Sequence, residues 1–156
     1  MEKIGIDPGE PGGGATFARS SGGLLIACGK WKPEVALSPA DLAIVETQVI
    51  IPRFTKKPAS IITLAQRTGA ILACFGWPED ESMVRLVLPR SWKGGTKKPK
   101  TAKAWASYVI HRLIEKALTP AELSIYLEAL EEFPDGGRHN LADGVGILLW
   151  EEGRLK

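Results

Sequence analysis

Apolar residues recur along this chain with two different spacings, and the change of spacing predicts its elements. Positions 3–7, Lys3-Ile4-Gly5-Ile6-Asp7, form a short apolar run stopped by Pro8-Gly9 and read as a strand. After a glycine-rich turn over 10–14, segments 15–20 and 23–29 read as a hairpin that turns at Ser21-Gly22. Positions 42–46, Leu42-Ala43-Ile44-Val45-Glu46, are almost continuously apolar, as expected of a central strand covered on both faces. A loop over 52–58 leads to a helix over 59–75, in which Ile61, Leu64, Thr68, Ile71, Leu72 and Phe75 recur at helical spacing. A strand over 83–88 stops at Pro89. Amphipathic helices are predicted over 101–116 and 118–132. The second starts with Thr119 as N-cap, Pro120 at its first position and Glu122 three residues after the cap. A last helix covers 140–150. This order predicts an α/β fold, one mixed sheet with helices packed on it.

With 156 residues, 44% of them hydrophobic, the chain has material for one core, so 1–156 is expected to be a single domain. The net charge of +2 conceals an asymmetry. Arg90, Lys93, Lys97, Lys98, Lys100 and Lys103 fall in one acid-free segment, whereas Glu115, Glu122, Glu128, Glu131, Glu132 and Asp135 make 115–135 acidic. Such a local patch diagnoses a nucleic-acid binder better than the total does. Gly94, Gly95 and Pro99 favour an irregular presenting loop, and the 52–58 loop adds Arg53, Phe54, Lys56 and Lys57 as candidate DNA contacts. Trp92 and Trp105 flank the basic run, placed either to stack on bases or to pack in the core. Cys28 and Cys74 stand far apart with no CxxC and are expected to be buried free thiols, with no disulfide-linked partner. The start lacks a signal-peptide pattern, and no apolar run reaches the roughly 18 residues of a membrane span. The expected location is the cytoplasm.

Three carboxylates sit within apolar runs: Asp7, Glu46 and Asp143. Burying a carboxylate without a partner is expensive, so acids that converge usually share a cation. Asp7 and Glu46 both end strands, and ligand sites in covered sheets lie at the carboxyl ends of strands. Two of the acids also have a plainer reading, Asp7 as a turn aspartate and Asp143 as part of a solvated helix face, whereas Glu46 is not in an obvious polar turn. Hard oxygen ligands suit Mg²⁺, with Mn²⁺ able to substitute, and two such ions can activate water against a phosphodiester. His139 and Asn140 stand just before the last helix and are candidates to complete the shell; His139 can instead position or deprotonate the water. Asp135 is an outlying candidate in an ordinary turn. Gly12-Gly13-Gly14 is not a Walker loop, because no GxxxxGK[ST] follows.

Ile4-Gly5-Ile6-Asp7-Pro8-Gly9, Leu42-Ala43-Ile44-Val45-Glu46, Ala65-Gln66-Arg67-Thr68-Gly69-Ala70 and Ala142-Asp143-Gly144-Val145-Gly146 together resemble, in order, the signatures of the RuvC-like Holliday junction resolvases of the ribonuclease H-like superfamily. The resemblance runs nearly end to end and implies a five-stranded mixed sheet with helices on both faces. It implies a homodimer that cuts two symmetric strands of a four-way DNA junction. Asp7, Glu46 and Asp143 match the family's acidic ligands. The remaining ligand position falls at Asn140, which is not an acid, with His139 beside it as a substitute. Gln66, Arg67, Gly69 and Ala70 match the dimer interface, where small residues allow close helix contact. Two departures set the chain apart. The span before Leu42, holding Pro33 and Pro39, has no room for the helix of cellular members. The family's aromatic wedge position is Val49, with Phe54 a possible stand-in. The trimmed form is more similar to a phage-encoded member, which would place it in a host's cytoplasm. Other readings stay open: a nuclease of the same fold acting on RNA–DNA hybrids or other branched DNA, and a non-catalytic junction-binding protein. A superfamily phosphotransferase needs a two-domain cleft for which this chain is too short.

Overall fold

The structure is a computed structural model that describes residues 1–9, 14–32, 40–47, 58–77, 79, 81–134 and 136–155. Five strands form one sheet: β1 (Glu2–Asp7), β2 (Ala15–Ser21), β3 (Leu24–Trp31), β4 (Leu42–Glu46) and β5 (Val84–Val87), in the order β3-β2-β1-β4-β5. The pairs β1–β2 and β2–β3 are antiparallel, whereas β1–β4 and β4–β5 are parallel. The sheet is therefore mixed and five-stranded, flanked by helices, as the sequence predicts. The β2–β3 hairpin turns at Gly22 and Gly23, one residue later than expected, because both adopt positive φ (57° and 83°) that a side chain disfavours.

Strand periodicity divides the sheet into two apolar layers. Ile4 and Ile6 of β1 and Ala43 and Val45 of β4 point to one face, where they meet Ile71 and Leu72 of α1 (Pro58–Ala73). Ile44, Val87, Ala18 and Leu25 point to the other, under α4 (Val109–Ala117), α5 (Pro120–Glu131) and α6 (Arg138–Glu151). Because side chains alternate, Asp7 and Glu46 share the α6 face with Gly5 and Ile44. The parallel register pairs Ile6 with Val45, so the next position on each strand brings the two acids side by side.

Helix α6 lies directly over β1, and it can approach because Gly5 and Gly144 carry no side chains. A Cβ on Gly5 would sit 2.7 Å from the Gly144 carbonyl oxygen, and one on Gly144 would sit 3.0 Å from Thr16 Oγ1. Thr16 Oγ1 also donates to the Asn140 carbonyl at 2.8 Å, fixing the start of the helix on β2.

The basic segment is irregular over 94–100, as its glycines and proline predict, and α2 (Pro89–Lys93) precedes it. Two expectations are corrected. The helix predicted over 101–116 is two helices, α3 (Ala102–Trp105) and α4, separated at Tyr108, which is extended (ψ 117°). Cys74 is exposed and Cys28 half-buried, although both are free thiols. Among the described residues, no helix is long and apolar enough to cross a membrane.

Candidate metal centre

Asp7, Glu46 and Asp143 converge where β1 and β4 end beneath α6. One oxygen from each lies within 4.8 Å of the others. All three are buried, Asp143 completely. Asp143 reaches the site from within an apolar helix because α6 is covered on nearly every side; Leu141, Ala142, Val145 and Ile147 are fully buried around it. Its solvated-face reading is thus excluded.

The two readings of Asp7 are both realised, one by each oxygen. Oδ1 accepts the Gly9 N–H at 2.8 Å, the local bond of a turn aspartate. Oδ2 is buried and has no hydrogen-bond partner among the described residues. Burial, with Glu46 and Asp143 nearby, raises the Asp7 pKa to about 7. Glu46 is also raised, first by burial and then, against the opposing effect of Lys93, by Asp143.

Three further side chains bind the acids. Trp92 Nε1 donates to Glu46 Oε2 at 2.9 Å. Tyr108 donates its hydroxyl to Asp143 Oδ1 at 2.6 Å. Lys93 Nζ lies 2.6 Å from Asp143 Oδ2 and 3.1 Å from Glu46 Oε2. Nothing in their spacing identifies these partners. Trp92 and Lys93 sit in a segment whose charge suggests a loop, and Tyr108 occupies the unanticipated break between α3 and α4. Both tryptophans prove to be core residues, 8% exposed, and Trp92 covers Gly146, where a Cβ would stand 2.4 Å from its ring.

The other candidates are placed unequally. Asn140 is buried in the first turn of α6; its Oδ1 would lie 3.7 Å from a Cβ on Gly9, beside Asp7. His139 is half-buried and is not one of the three clustered ligands; its pKa is lowered by burial and then by Lys98, with its ring bonded to the Gly136 backbone. Lys93 does not join the exposed basic set. Arg90, Lys97, Lys98, Lys100 and Lys103 are exposed, and Lys98 is near enough to oppose the upward shift of Asp7. Lys98 also stands between two open hollows. One, about 400 Å³, is lined by Gly9, Ser60, Thr63, Leu64 and Arg67, and the other, about 450 Å³, by the 96–100 segment and Tyr108. On α1, Gln66 and Ala70 are exposed, and Arg67 and Gly69 are half-buried. Arg53, Phe54, Lys56, Lys57, Val49 and Asp135 lie outside the described residues, as do Pro33 and Pro39.

The donor set fits a hard divalent cation. Among the described residues it offers clustered carboxylate oxygens, one of them buried and unpartnered, beside an amide oxygen, and no soft ligand. No protein-family model matches the sequence, and no curated protein matches it. Two solved structures are similar to the chain. One is Thermus thermophilus RuvC in complex with Holliday junction substrate, at 15% identity and a TM-score of 0.43. The other is Thermus thermophilus RuvC, at 16% identity and a TM-score of 0.41. Each comparison covers 100% of this chain and 99% of the other.

Proposed function

We propose that this chain is a Mg²⁺-dependent endonuclease that resolves four-way DNA junctions by paired symmetric nicks, with Mn²⁺ able to replace Mg²⁺. The observation that carries the reading is the buried Asp7–Glu46–Asp143 cluster, with its unpartnered oxygen, beside an exposed basic segment. The ordered sequence motifs supply the junction as substrate.

In this reading Asp7, Glu46 and Asp143 hold two metal ions, with Asn140 contributing its oxygen beside Asp7. Bound there, the metal supplies Lewis acidity that lowers the pKa of a water and stabilises the departing 3′ oxygen. The protein's own groups prepare the site. Trp92 and Tyr108 lock one oxygen each of Glu46 and Asp143, which fixes the carboxylate planes. Lys98, with Lys97, Lys100, Lys103 and Arg90 further out, draws the phosphate backbone toward the acids and offsets its charge. In this reading His139, whose pKa burial lowers, would orient the water through its imidazole.

Two sites must act together for symmetric nicks, and an exposed face of α1 suits a second copy of the chain. Ile62, 52% exposed, recurs with Gln66 and Ala70 along that face. In the dimer these faces meet around a two-fold axis that matches the symmetry of the junction.

The test is cleavage of an immobile four-way junction beside linear and RNA–DNA hybrid duplexes, in Mg²⁺, Mn²⁺ or EDTA. Paired symmetric nicks on the junction alone, lost in EDTA, support the reading. Asp7→Asn is expected to lower cleavage roughly a thousandfold, several kcal/mol of lost transition-state stabilisation, while junction binding persists. Preferential cutting of hybrids or forks reassigns the substrate. Binding without nicks in any metal favours a structural role, which the Lys93 ion pairs within the acidic cluster would then explain.

A further inference from the structure

The metal centre contains a cation of its own. We propose that Lys93 is an internal counter-ion that holds the acidic cluster together before metal binds and is displaced when a divalent cation enters. The inference rests on the metal site of the preceding reading and not on its DNA substrate.

The Lys93 side chain is 7% exposed, and its ammonium lies between Asp143 Oδ2 and Glu46 Oε2 at 2.6 and 3.1 Å. Tyr108 already occupies the other oxygen of Asp143. A divalent ion that joins Asp7 to either partner acid must take up oxygens at about 2.1 Å, within a few ångströms of the nitrogen. Two cations at that spacing in a buried site repel strongly. Charge sets the direction of the exchange. Three carboxylates against one ammonium leave an excess of negative charge, and the ammonium does not reach Asp7 Oδ2, which stays unpartnered. A doubly charged ion neutralises the cluster better and satisfies that oxygen.

The chain also provides a way out. Lys93 is the last residue of α2 and is followed by Gly94 (φ 56°) and Gly95, both with open space where a side chain would be. With no side chain on either residue to block it, the Lys93 stem can swing outward past the end of α2. Metal loading thereby adds a positive charge to the surface that meets phosphate.

Lysine labelling with acetic anhydride, resolved by mass spectrometry on the intact protein, reads the exchange directly. Without metal, Lys93 should be protected relative to Lys97 and Lys103. Saturating Mg²⁺ or Mn²⁺ should raise its labelling severalfold and leave Lys103 unchanged. Protection that persists or deepens at saturation overturns the proposal. A second measurement, Mn²⁺ binding followed by electron paramagnetic resonance, should show Kd falling about tenfold or more in Lys93→Met and staying near wild type in Lys93→Arg. Equal affinity in Lys93→Met and wild type overturns it, as does a wild-type protein that binds no Mn²⁺. Because neither readout involves DNA, a protein that exchanges Lys93 for metal yet never cuts a junction would retain this inference and lose the nuclease reading.

Discussion

Two buried acid–cation clusters lie on the same side of the sheet, and they behave in opposite ways. In the first turn of α5, Glu122 meets Arg154 in a closed arrangement. Oε1 accepts from Arg154 Nη1 at 2.6 Å and the Leu25 N–H at 2.7 Å; Oε2 accepts from Arg154 Nη2 and the Thr119 N–H, both at 2.8 Å. Arg154 also donates to the Gly23 and Ala117 carbonyls, joining the hairpin, α4 and α5. One acid faces one guanidinium and every carboxylate oxygen is engaged. The Arg154 hydrogen bonds lead in drawing the Glu122 pKa down to about 2. At the candidate metal centre one ammonium pairs with two of three acids, an oxygen of the third has no partner among the described residues, and Asp7 is driven up to about 7. Burial is common to both. Whether the donors present satisfy the charge decides if a buried acid braces the fold or waits for a ligand.

Removal of one acid from each cluster gives the sharpest contrast. Glu122→Ala strands Arg154 and should cost about 3 kcal/mol of stability, read as a lower midpoint in urea. Its pH dependence follows from the lowered pKa. The stabilisation is complete above the ordinary value of 4.5 and is lost as pH falls toward 2, so the gap between wild type and Glu122→Gln should close in that window.

Asp7→Asn should do the reverse and stabilise the metal-free protein by about 1–2 kcal/mol at pH 8. With a folded pKa raised from 3.8 to about 7, the charge on Asp7 is a cost that is absent below pH 4 and grows until pH 7. The variant's advantage in Tm should therefore appear across that interval and vanish when Mg²⁺ saturates the wild type. A destabilised Asp7→Asn would place the two clusters in one class. The smallest expected effect is that of Tyr108→Phe, which removes one hydrogen bond to Asp143 and should weaken Mn²⁺ binding roughly tenfold with little change in Tm.

Much of the acidic cluster was legible in the sequence, because strands carry a strict period of two. Two apolar runs end in acids, and in the parallel register that pairs Ile6 with Val45 those acids fall on one face. The capping box at Thr119 and Glu122 was legible for a similar reason, since its partners are three residues apart. Partners brought together by tertiary packing were not. Lys93 reads as one more charge in a basic run, yet its neighbours are Glu46 and Asp143, 47 and 50 residues away. The break before α4 leaves no mark in the sequence because apolar residues keep helical spacing across it; the chain bends where Tyr108 bonds to Asp143 of α6. The second role of Glu122 depends on Arg154, 32 residues further on.

The bare contact between β1 and α6 has a consequence for how this protein tolerates change. Most core positions can exchange one aliphatic group for another while their neighbours repack. Gly5 and Gly144 have less latitude: a side chain on Gly5 meets the main-chain oxygen of Gly144, which has no rotamers, and one on Gly144 meets Thr16 Oγ1, which is held by its bond to the Asn140 carbonyl. In a saturation library scored for folded protein alone, these two glycines should accept fewer replacements than the acids they bring together. Asp7, whose charge the metal-free fold bears at a cost, would show its constraint when the same library is scored for metal uptake.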